Sequence, residues 1–165
     1  MELIVEATGT AAWGDRRMRC ALGRGGIVRD KTEGDGATPA GLWPMRAVLY
    51  RPDREAAPKT RLAVSAIAPG DGWCNDPADA DYNRRVALPH PARCERLWRD
   101  DALYDLIAVL GYNDAPVRKG AGSAIFLHLA RPGYAATLGC VALAREDLLF
   151  VLAAARPGDS VRAIG

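Results

Sequence analysis

The chain is poor in the residues that build metal centres and nucleic-acid surfaces. Its 165 residues include only two histidines and four cysteines. These are His90, His128, Cys20, Cys74, Cys94 and Cys140. Because no two cysteines form a C-x-x-C pair, a zinc site is not expected, and no metal or cofactor is predicted. The net charge is +2, without a basic run or an aromatic platform, so nucleic acid is not an expected partner.

Long apolar segments are also missing. No apolar run approaches the length of a membrane-spanning helix, so no membrane span is predicted. Residues 1–6 carry acid early and lack the basic and long apolar regions of a signal peptide, so no signal peptide is visible. Hydrophobic residues form 49% of the chain and charged residues 25%, which is ordinary for a globular protein. The length predicts one domain over residues 1–165 with a sizeable core.

Short strand-like runs dominate the chain instead. Glycines, prolines and polar residues separate these runs. The predicted strands cover residues 3–7, 17–22, 27–28, 42–50, 62–68, 103–110 and 160–164. Helical spacing of apolar residues predicts a helix over 144–155, and a helical turn is expected within 94–100. The pattern is mainly β, and it predicts a compact β-sandwich or barrel with one or two helices.

One segment, residues 123–143, combines a histidine and a cysteine. An apolar run ends on His128, a Pro-Gly turn follows, and Cys140 lies directly behind Gly139. A neighbouring imidazole can lower the pKa of a thiol, take its proton and later protonate a leaving amine. The backbone amides of Gly139 and Cys140 are candidates for an oxyanion hole. The alternative is a buried structural thiol beside a core histidine, and composition alone does not decide between the two.

Two short motifs are similar to those of a known family. The first is a strand ending in His128, then a spacer and Thr137-Leu138-Gly139-Cys140. The second, further upstream, is Thr38-Pro39-Ala40-Gly41. Together they resemble the catalytic signature and the Thr-Pro-x-Gly segment of the L,D-transpeptidases (YkuD domain), in the same order and at a fitting separation. The resemblance runs from about residue 25 to the C-terminus, and it implies a β-rich domain with the active cysteine at a cleft.

The resemblance implies that the chain cross-links peptidoglycan. Cys140 would attack a carbonyl of a donor stem peptide and form a thioester, with His128 as base and then acid. A backbone carbonyl, such as that of Leu129, would orient the imidazole. The diaminopimelate amine of an acceptor stem would then resolve the thioester. The family works in the periplasm or cell envelope, and the sequence leaves the export route and the oligomeric state open.

The chain departs from the common family pattern around the cysteine. Leu138 stands where most members have a second histidine, and Ala142 stands where they have arginine or asparagine. The spacer between His128 and Cys140 is also shorter than usual. These departures change the expected contacts with the donor. The product is therefore a diaminopimelate–diaminopimelate bond or an L-alanine–diaminopimelate bond, with a slight preference for the second.

Several polar and aromatic residues are candidate substrate contacts. Arg131 and Tyr134 lie in the spacer and are expected to meet the donor carboxylate, while Thr137 is expected to fix the turn before the cysteine. The irregular segment 69–93 is expected to form a lid or side wall of the cleft. Its candidate contacts are Trp73, Tyr82, Asn83 and Arg84. The alternative, weighed evenly, is a packed loop anchored by Trp73.

Other functions and a cross-link stay open at the level of sequence. With water as acceptor, the same site would belong to a peptidoglycan carboxypeptidase or amidase. Without a reactive Cys140, the chain would be a non-catalytic cell-wall-binding module. Cys74 and Cys94 both lie in the loop-rich middle of the chain and are the pair considered for a disulfide, although free thiols are the favoured alternative.

Overall fold

The computed structural model describes residues 1–165, which form fourteen strands and one α-helix. The strands up to residue 66 are β1 (Glu2–Glu6), β2 (Thr10–Trp13), β3 (Arg16–Ala21), β4 (Ile27–Val28), β5 (Thr38–Pro39), β6 (Gly41–Tyr50) and β7 (Ala63–Ala66). The later strands are β8 (Asp71–Cys74), β9 (Arg85–Ala87), β10 (Cys94–Arg96), β11 (Leu106–Leu110), β12 (Phe126–Leu129), β13 (Val141–Leu143) and β14 (Ser160–Ile164). The helix α1 spans Arg145–Ala154, and short 3-10 turns cover Ala102–Tyr104 and Pro132–Tyr134.

Eight of the strands close into a barrel, in the order β11-β12-β13-β3-β2-β1-β14-β6. The barrel closes because β6 pairs with β11 on one side and with β14 on the other. The remaining strand of this sheet, β7, pairs with β6 alone. Closure leaves few unpaired strand edges. The mainly β fold with a helix near the C-terminus is therefore confirmed, and the architecture is a barrel.

Alternating burial along the strands explains why they pack as they do. In β1, Leu3 and Val5 are fully buried, whereas Ile4 between them is exposed. Side chains in a strand alternate between its two faces, so one face of β1 fills the core. The helix α1 packs against the same core through Leu148 and Leu152. No helix has the length and apolarity needed to cross a bilayer.

A smaller sheet of order β10-β8-β9 stands beside the barrel and corrects two predictions. Residues 94–96 form β10, not a helical turn, and the supposedly irregular segment 69–93 contains β8 and β9. Cys94 is paired with Cys74, and Glu95 with Trp73. These strands are short and carry polar residues. Their pairing is therefore decided by distant partners, which local sequence patterns do not reveal.

The Thr38-Pro39 motif lies directly beside the cysteine segment. It forms β5, which pairs in parallel with β4, and the hydroxyl of Thr38 accepts the N–H of Gly23 at 2.9 Å. Gly23 in turn bridges to Thr137. The two sequence motifs, about a hundred residues apart along the chain, thus meet at one end of the barrel.

Candidate active site

His128 and Cys140 are brought together by two adjacent strands. His128 lies on β12, and Cys140 immediately precedes β13, which runs parallel to β12. The connection between these strands turns back through the 3-10 turn at Pro132–Tyr134. Leu127 pairs with Val141 and His128 with Ala142, so Cys140 lies level with Phe126, one strand position before the first of these pairs. Both side chains therefore reach the same end of the barrel.

That end opens into a cavity of about 680 Å³. Charged side chains of both signs surround the histidine and the cysteine. The polar and charged residues of the lining are Arg24, Lys31, Glu33, Asn75, Arg93, Glu95, Arg99, Tyr104, Ser123, Arg131 and Thr137. Glu95 on β10 and the flanking residues Asn75, after β8, and Arg93, before β10, form one wall of the cavity.

The thiol of Cys140 is buried and held by two backbone groups. Its Sγ donates to the carbonyl oxygen of Ala124 at 3.2 Å and accepts the N–H of Phe126 at 3.4 Å. Burial raises the pKa of Cys140 to about 12. Because the carbonyl contact needs the proton of the thiol, the resting form at neutral pH is the thiol and not the thiolate.

The imidazole of His128 is also buried, and its orientation is fixed. Nδ1 lies 2.8 Å from the carbonyl oxygen of Leu129, as expected from the sequence. A carbonyl only accepts, so this contact assigns the proton to Nδ1 and leaves Nε2 free to take a proton. Burial lowers the pKa of His128 to about 4, so the ring is neutral at pH 7. The resting pair is therefore a neutral thiol and a neutral imidazole.

Thr137 and Gly139 shape the turn before the cysteine. The Thr137 hydroxyl donates to the carbonyl oxygen of Cys140 at 2.6 Å and accepts the N–H of Gly139 at 3.1 Å. Gly139 has φ +136, and a Cβ added there would lie 2.8 Å from the carbonyl oxygen of Ala37. Only glycine fits this close approach. The Gly139 N–H is occupied by Thr137 at rest, so of the two amides considered for an oxyanion hole only that of Cys140 lacks an acceptor.

The two spacer residues have different positions. Arg131 lines the cavity, is exposed, and lies 3.6 Å from the carboxylate of Asp101. Tyr134 lies outside the cavity lining, and the guanidinium of Arg19 stacks 4.5 Å from its ring centre. Of the two candidate substrate contacts, only Arg131 therefore lines the cavity.

The four candidates from segment 69–93 lie outside the cavity lining. Trp73 donates its indole N–H to Asn83 Oδ1 at 2.9 Å and packs edge-on against Phe126. The Tyr82 hydroxyl donates to Glu33, and Arg84 is exposed. Asn83 is buried, and its amide group donates to the carbonyl oxygens at 112 and 113. These four residues therefore fit the alternative of a packed loop anchored by Trp73, whereas Asn75 and Arg93 of the same segment do line the cavity as a side wall.

Two residues that were not predicted from the sequence, Tyr104 and Glu95, also line the cavity. Tyr104 is buried, packs edge-on against His128 at 5.3 Å, and donates its hydroxyl to Glu95 Oε1 at 2.7 Å. Glu95 faces the cavity from β10. No local motif marks either residue. The one available signal was a polar aromatic residue two positions before the apolar strand β11.

A cluster of possible metal ligands lies on the small sheet. Ligand atoms of Cys74, His90 and Cys94 all lie within 4.8 Å of one another. However, His90 Nδ1 accepts the N–H of Ala92 at 3.2 Å, which leaves the ring proton on Nε2, 3.5 Å from an Asp81 oxygen. A histidine ligand needs an unprotonated nitrogen facing the metal. The ring as oriented therefore does not fit a metal site.

Comparison with known proteins identifies the family. Residues 8–162 match the family model of the L,D-transpeptidase catalytic domain. The chain therefore belongs to the L,D-transpeptidase family, whose members are generally associated with the cell envelope. A comparison with curated proteins finds no match.

Solved structures give a more distant likeness. L,D-transpeptidase 1 of Mycobacterium tuberculosis is 13% identical with a TM-score of 0.45, and 99% of this chain covers 60% of that one. L,D-transpeptidase 3 of the same organism has 13% identity, a TM-score of 0.46 and the same coverage. An L,D-transpeptidase from Mycobacterium smegmatis has 12% identity and a TM-score of 0.46, with 99% of this chain covering 58% of it. The chain thus spans about three-fifths of the length of these structures.

Proposed function

We propose that the chain is a peptidoglycan L,D-transpeptidase that acts through a thioester on Cys140. The observation that carries the proposal is the meeting of Cys140 and His128 at one cavity, with Nε2 of the imidazole free to accept a proton. Nucleophilic acyl transfer needs this combination of a thiol, a base oriented by a third group, and room for the acyl donor.

The reaction begins from a neutral pair. The thiol proton of Cys140 passes to Nε2 of His128 as the sulfur bonds to a carbonyl carbon of the donor stem. The carbonyl electrons move onto the oxygen, and the Cys140 N–H donates a hydrogen bond to this oxyanion. When the carbonyl re-forms, the carbon–nitrogen bond breaks and the imidazolium gives its proton to the leaving amine. The acceptor amine then attacks the thioester and loses a proton to His128, the carbon–sulfur bond breaks, and His128 returns that proton to the sulfur.

The charges of the cavity suit a zwitterionic substrate. Arg93 and Arg131 offer guanidinium groups for carboxylates, and Glu33 offers a partner for an ammonium group. Diaminopimelate carries both kinds of group. We therefore infer that donor and acceptor stem peptides occupy this cavity, and that Arg131 meets a donor carboxylate.

The residues around the cysteine favour a compact donor. Leu138 is 74% exposed at the cavity rim, and the buried side chain at 142 is only a methyl group. Neither can hydrogen-bond to a donor side chain. This supports the L-alanine–diaminopimelate cross-link over the diaminopimelate–diaminopimelate product, because alanine offers only a methyl group for recognition.

A second candidate is favoured by one specific observation. Cys140 is buried, and its pKa is raised to about 12, which is far from an activated thiol. A non-catalytic cell-wall-binding module that keeps the family fold would tolerate such a cysteine. A hydrolase using water as acceptor would need the same activation of the thiol as a transpeptidase.

Mass spectrometry of peptidoglycan digests distinguishes these candidates. Purified protein is incubated with sacculi and with stem peptides of defined length, beside Cys140→Ala and, as a control thiol buried elsewhere, Cys20→Ala. A dimer formed by the wild type and by Cys20→Ala, but not by Cys140→Ala, supports the transpeptidase. Fragmentation then names the bond. Shortened stems without dimers indicate a hydrolase, and unchanged stems on every substrate contradict an enzymatic function.

A further inference from the structure

Glu33 is a carboxylate that the fold holds in place without giving it a cation. Its Oε2 accepts hydrogen bonds from the Tyr82 hydroxyl and, at 2.8 Å, from the Ser123 hydroxyl. Both of these donors are buried, and the Tyr82 oxygen accepts the N–H of Gly122 at 3.0 Å, which directs the phenol proton towards Glu33. The second oxygen, Oε1, forms no hydrogen bond or salt bridge. The carboxylate is therefore oriented, and half of it is free to bind another group.

The loop that carries Glu33 is braced by its own hydrogen bonds. The Asp35 carboxylate binds the ammonium group of Lys31 at 2.6 Å and accepts the N–H of Ala37 at 2.8 Å. The N–H of Glu33 itself donates to the carbonyl oxygen of Gly120 at 2.8 Å. Because Asp35 holds the Lys31 ammonium, this neighbouring cation does not pair with Glu33.

Glu33 lines the same cavity as Cys140 and lies on the side of the sulfur. Ser123, which donates to Glu33, directly precedes Ala124, whose carbonyl oxygen accepts the Cys140 thiol at 3.2 Å. The Cα atoms of successive residues lie about 3.8 Å apart. The carboxylate and the sulfur are therefore bound to neighbouring residues of one backbone segment, so a group held by Glu33 is held near the nucleophile.

Glu33 differs in this respect from Glu95, the other acidic residue of the cavity lining. Oε1 of Glu95 lies 3.9 Å from a guanidinium nitrogen of Arg99 and accepts the Tyr104 hydroxyl at 2.7 Å. Glu95 thus already has a cation close by, whereas Glu33 has none. Hydrogen bonds between a carboxylate and an ammonium group are among the strong ones in proteins. Within this cavity, a substrate ammonium group therefore gains most at Glu33.

We propose that Glu33 is the acceptor-binding residue of the site: its carboxylate binds the primary ammonium group of the acceptor stem and so favours an amine over water as acceptor. The inference rests on the proposed function, in which Cys140 carries the acyl group. The bound ammonium releases one proton to bulk water, and the resulting amine attacks the thioester carbon. The second proton passes to His128 and then to the sulfur as the carbon–sulfur bond breaks. A water molecule has no positive charge and gains no comparable interaction with Glu33.

Binding of the acceptor is measured first, because it needs no reaction at Cys140. The full chain is titrated calorimetrically with N-acetyl-L-alanyl-γ-D-glutamyl-meso-diaminopimelate, whose side-chain amine is either free or acetylated. The wild type is expected to bind the free amine about 10- to 100-fold more tightly, as one charge-assisted hydrogen bond allows. Glu33→Gln is expected to lose this preference. Its amide oxygen can still accept the hydroxyls of Tyr82 and Ser123, so the cavity wall keeps its shape.

Kinetics then separate the acceptor step from the donor step. With a saturating donor stem, the thioester on Cys140 is followed by intact mass while the acceptor concentration is varied. Glu33→Gln is expected to form the thioester at the wild-type rate, with an acceptor KM about 10- to 100-fold higher and more hydrolysed donor. The charge-matched control is Glu95→Gln, which removes the same charge from the same cavity and is expected to keep the wild-type acceptor KM.

Each failure has its own signature. The proposal is overturned if the wild type binds the free and acetylated amines equally, or if Glu33→Gln and Glu95→Gln show equal losses. An unchanged acceptor KM in Glu33→Gln, in a protein that forms cross-links, rejects Glu33 as the acceptor site and leaves the transpeptidase. A preference for the free amine that depends on Glu33, in a protein that forms no thioester, supports the ammonium site and rejects the transpeptidase.

Discussion

The Asn83 side chain accepts a hydrogen bond from the N–H of Ala124 at 3.0 Å, and the carbonyl oxygen of Ala124 accepts one from the thiol of Cys140. Asn83, which was expected to contact substrate, therefore supports the backbone group that holds Cys140. Asn83 and Ala124 both have positive φ, 60° and 52°. The side-chain amide of Asn83 stabilises the backbone conformation of Ala124 that directs its carbonyl oxygen towards the sulfur. Asparagine also adopts a positive φ in its own backbone more readily than most residues.

Replacing Asn83 by alanine should destabilise the protein. The substitution leaves the Ala124 N–H, the Trp73 indole N–H and two backbone carbonyls without their partner. Two of these four bonds, to the Tyr112 carbonyl and from the Ala124 N–H, are fully buried, and an unsatisfied buried group costs about 1–3 kcal/mol, so a total loss of about 2–6 kcal/mol is expected. Urea unfolding measures it, with Asn75→Ala at the cavity wall as the control. An unfolding free energy unchanged from wild type would contradict the role given to Asn83.

Gly139 should not accept a side chain. A Cβ there would lie 2.8 Å from the backbone oxygen of Ala37, and the φ of +136 is strained for any other residue. Gly139→Ala is expected to lower stability by about 2 kcal/mol or more and to displace Cys140. The matched control is Gly133→Ala in the same connection, where φ is +75 and no atom lies within 4 Å of the added Cβ. Thermal unfolding and Cys140 labelling compare the two; similar losses in both variants would reject the close-approach argument.

His128 should make stability depend on pH. Its pKa is about 4 in the folded protein and about 6.5 when unfolded, so between these values only the unfolded chain binds the proton. The contribution of neutral His128 is therefore fully present above pH 6.5 and is lost as the pH falls towards 4, by about 3 kcal/mol in all. The difference in unfolding free energy between wild type and His128→Gln is measured across this range. Because the acidic groups are shared by both proteins, a difference that does not change with pH would be inconsistent with a buried neutral imidazole.

Cys74 and Cys94 should join when the protein is oxidised. They are direct partners between β8 and β10, and the flanking bonds, from Asn75 N–H to Arg93 and from Leu97 N–H to Asp71, make theirs the non-hydrogen-bonded pair. Cα atoms at such a pair lie about 4.5 Å apart, within the span of a disulfide. Both thiols are free in this structure.

Oxidised glutathione supplies the oxidant for this reaction, accepting two electrons and two protons as the two thiols form the bond. Intact-mass and peptide analysis should find a 74–94 cross-link that dithiothreitol reverses. The barrel thiol of Cys20 serves as the internal control and is expected to stay free. If Cys74 and Cys94 remain free thiols under these conditions, the predicted disulfide is wrong.

The local sequence was informative wherever a motif or a period was complete within one segment. Apolar spacing defined α1, which buries Leu148 and Leu152. Alternation identified β3, with Met18 and Cys20 buried on one face. The histidine–cysteine motif also contained its own orienting group, because the carbonyl that receives His128 Nδ1 belongs to the next residue.

Pairing between distant segments could not be predicted from the local sequence in the same way. Residues 94–96 looked like a helical turn, yet they form β10 because Glu95 and Cys94 find partners on β8. Trp73 and Tyr82 looked like substrate contacts because aromatic and polar residues do line such clefts. Instead, the Tyr82 hydroxyl donates to Glu33 and the Trp73 indole N–H donates to Asn83.

The sequence by itself determined the family and the mainly β character, and it singled out Cys140 and His128 as the candidate catalytic pair, because each of these rests on residues close together in the chain. Only the tertiary structure decided the environment of those side chains. It buried Cys140 and His128 so that both are neutral, occupied the Gly139 N–H with Thr137, and brought Glu95 and Tyr104 to the same cavity from separate segments. Burial and hydrogen bonding depend on what packs around a group, and barrel closure settles this through contacts that no local pattern encodes.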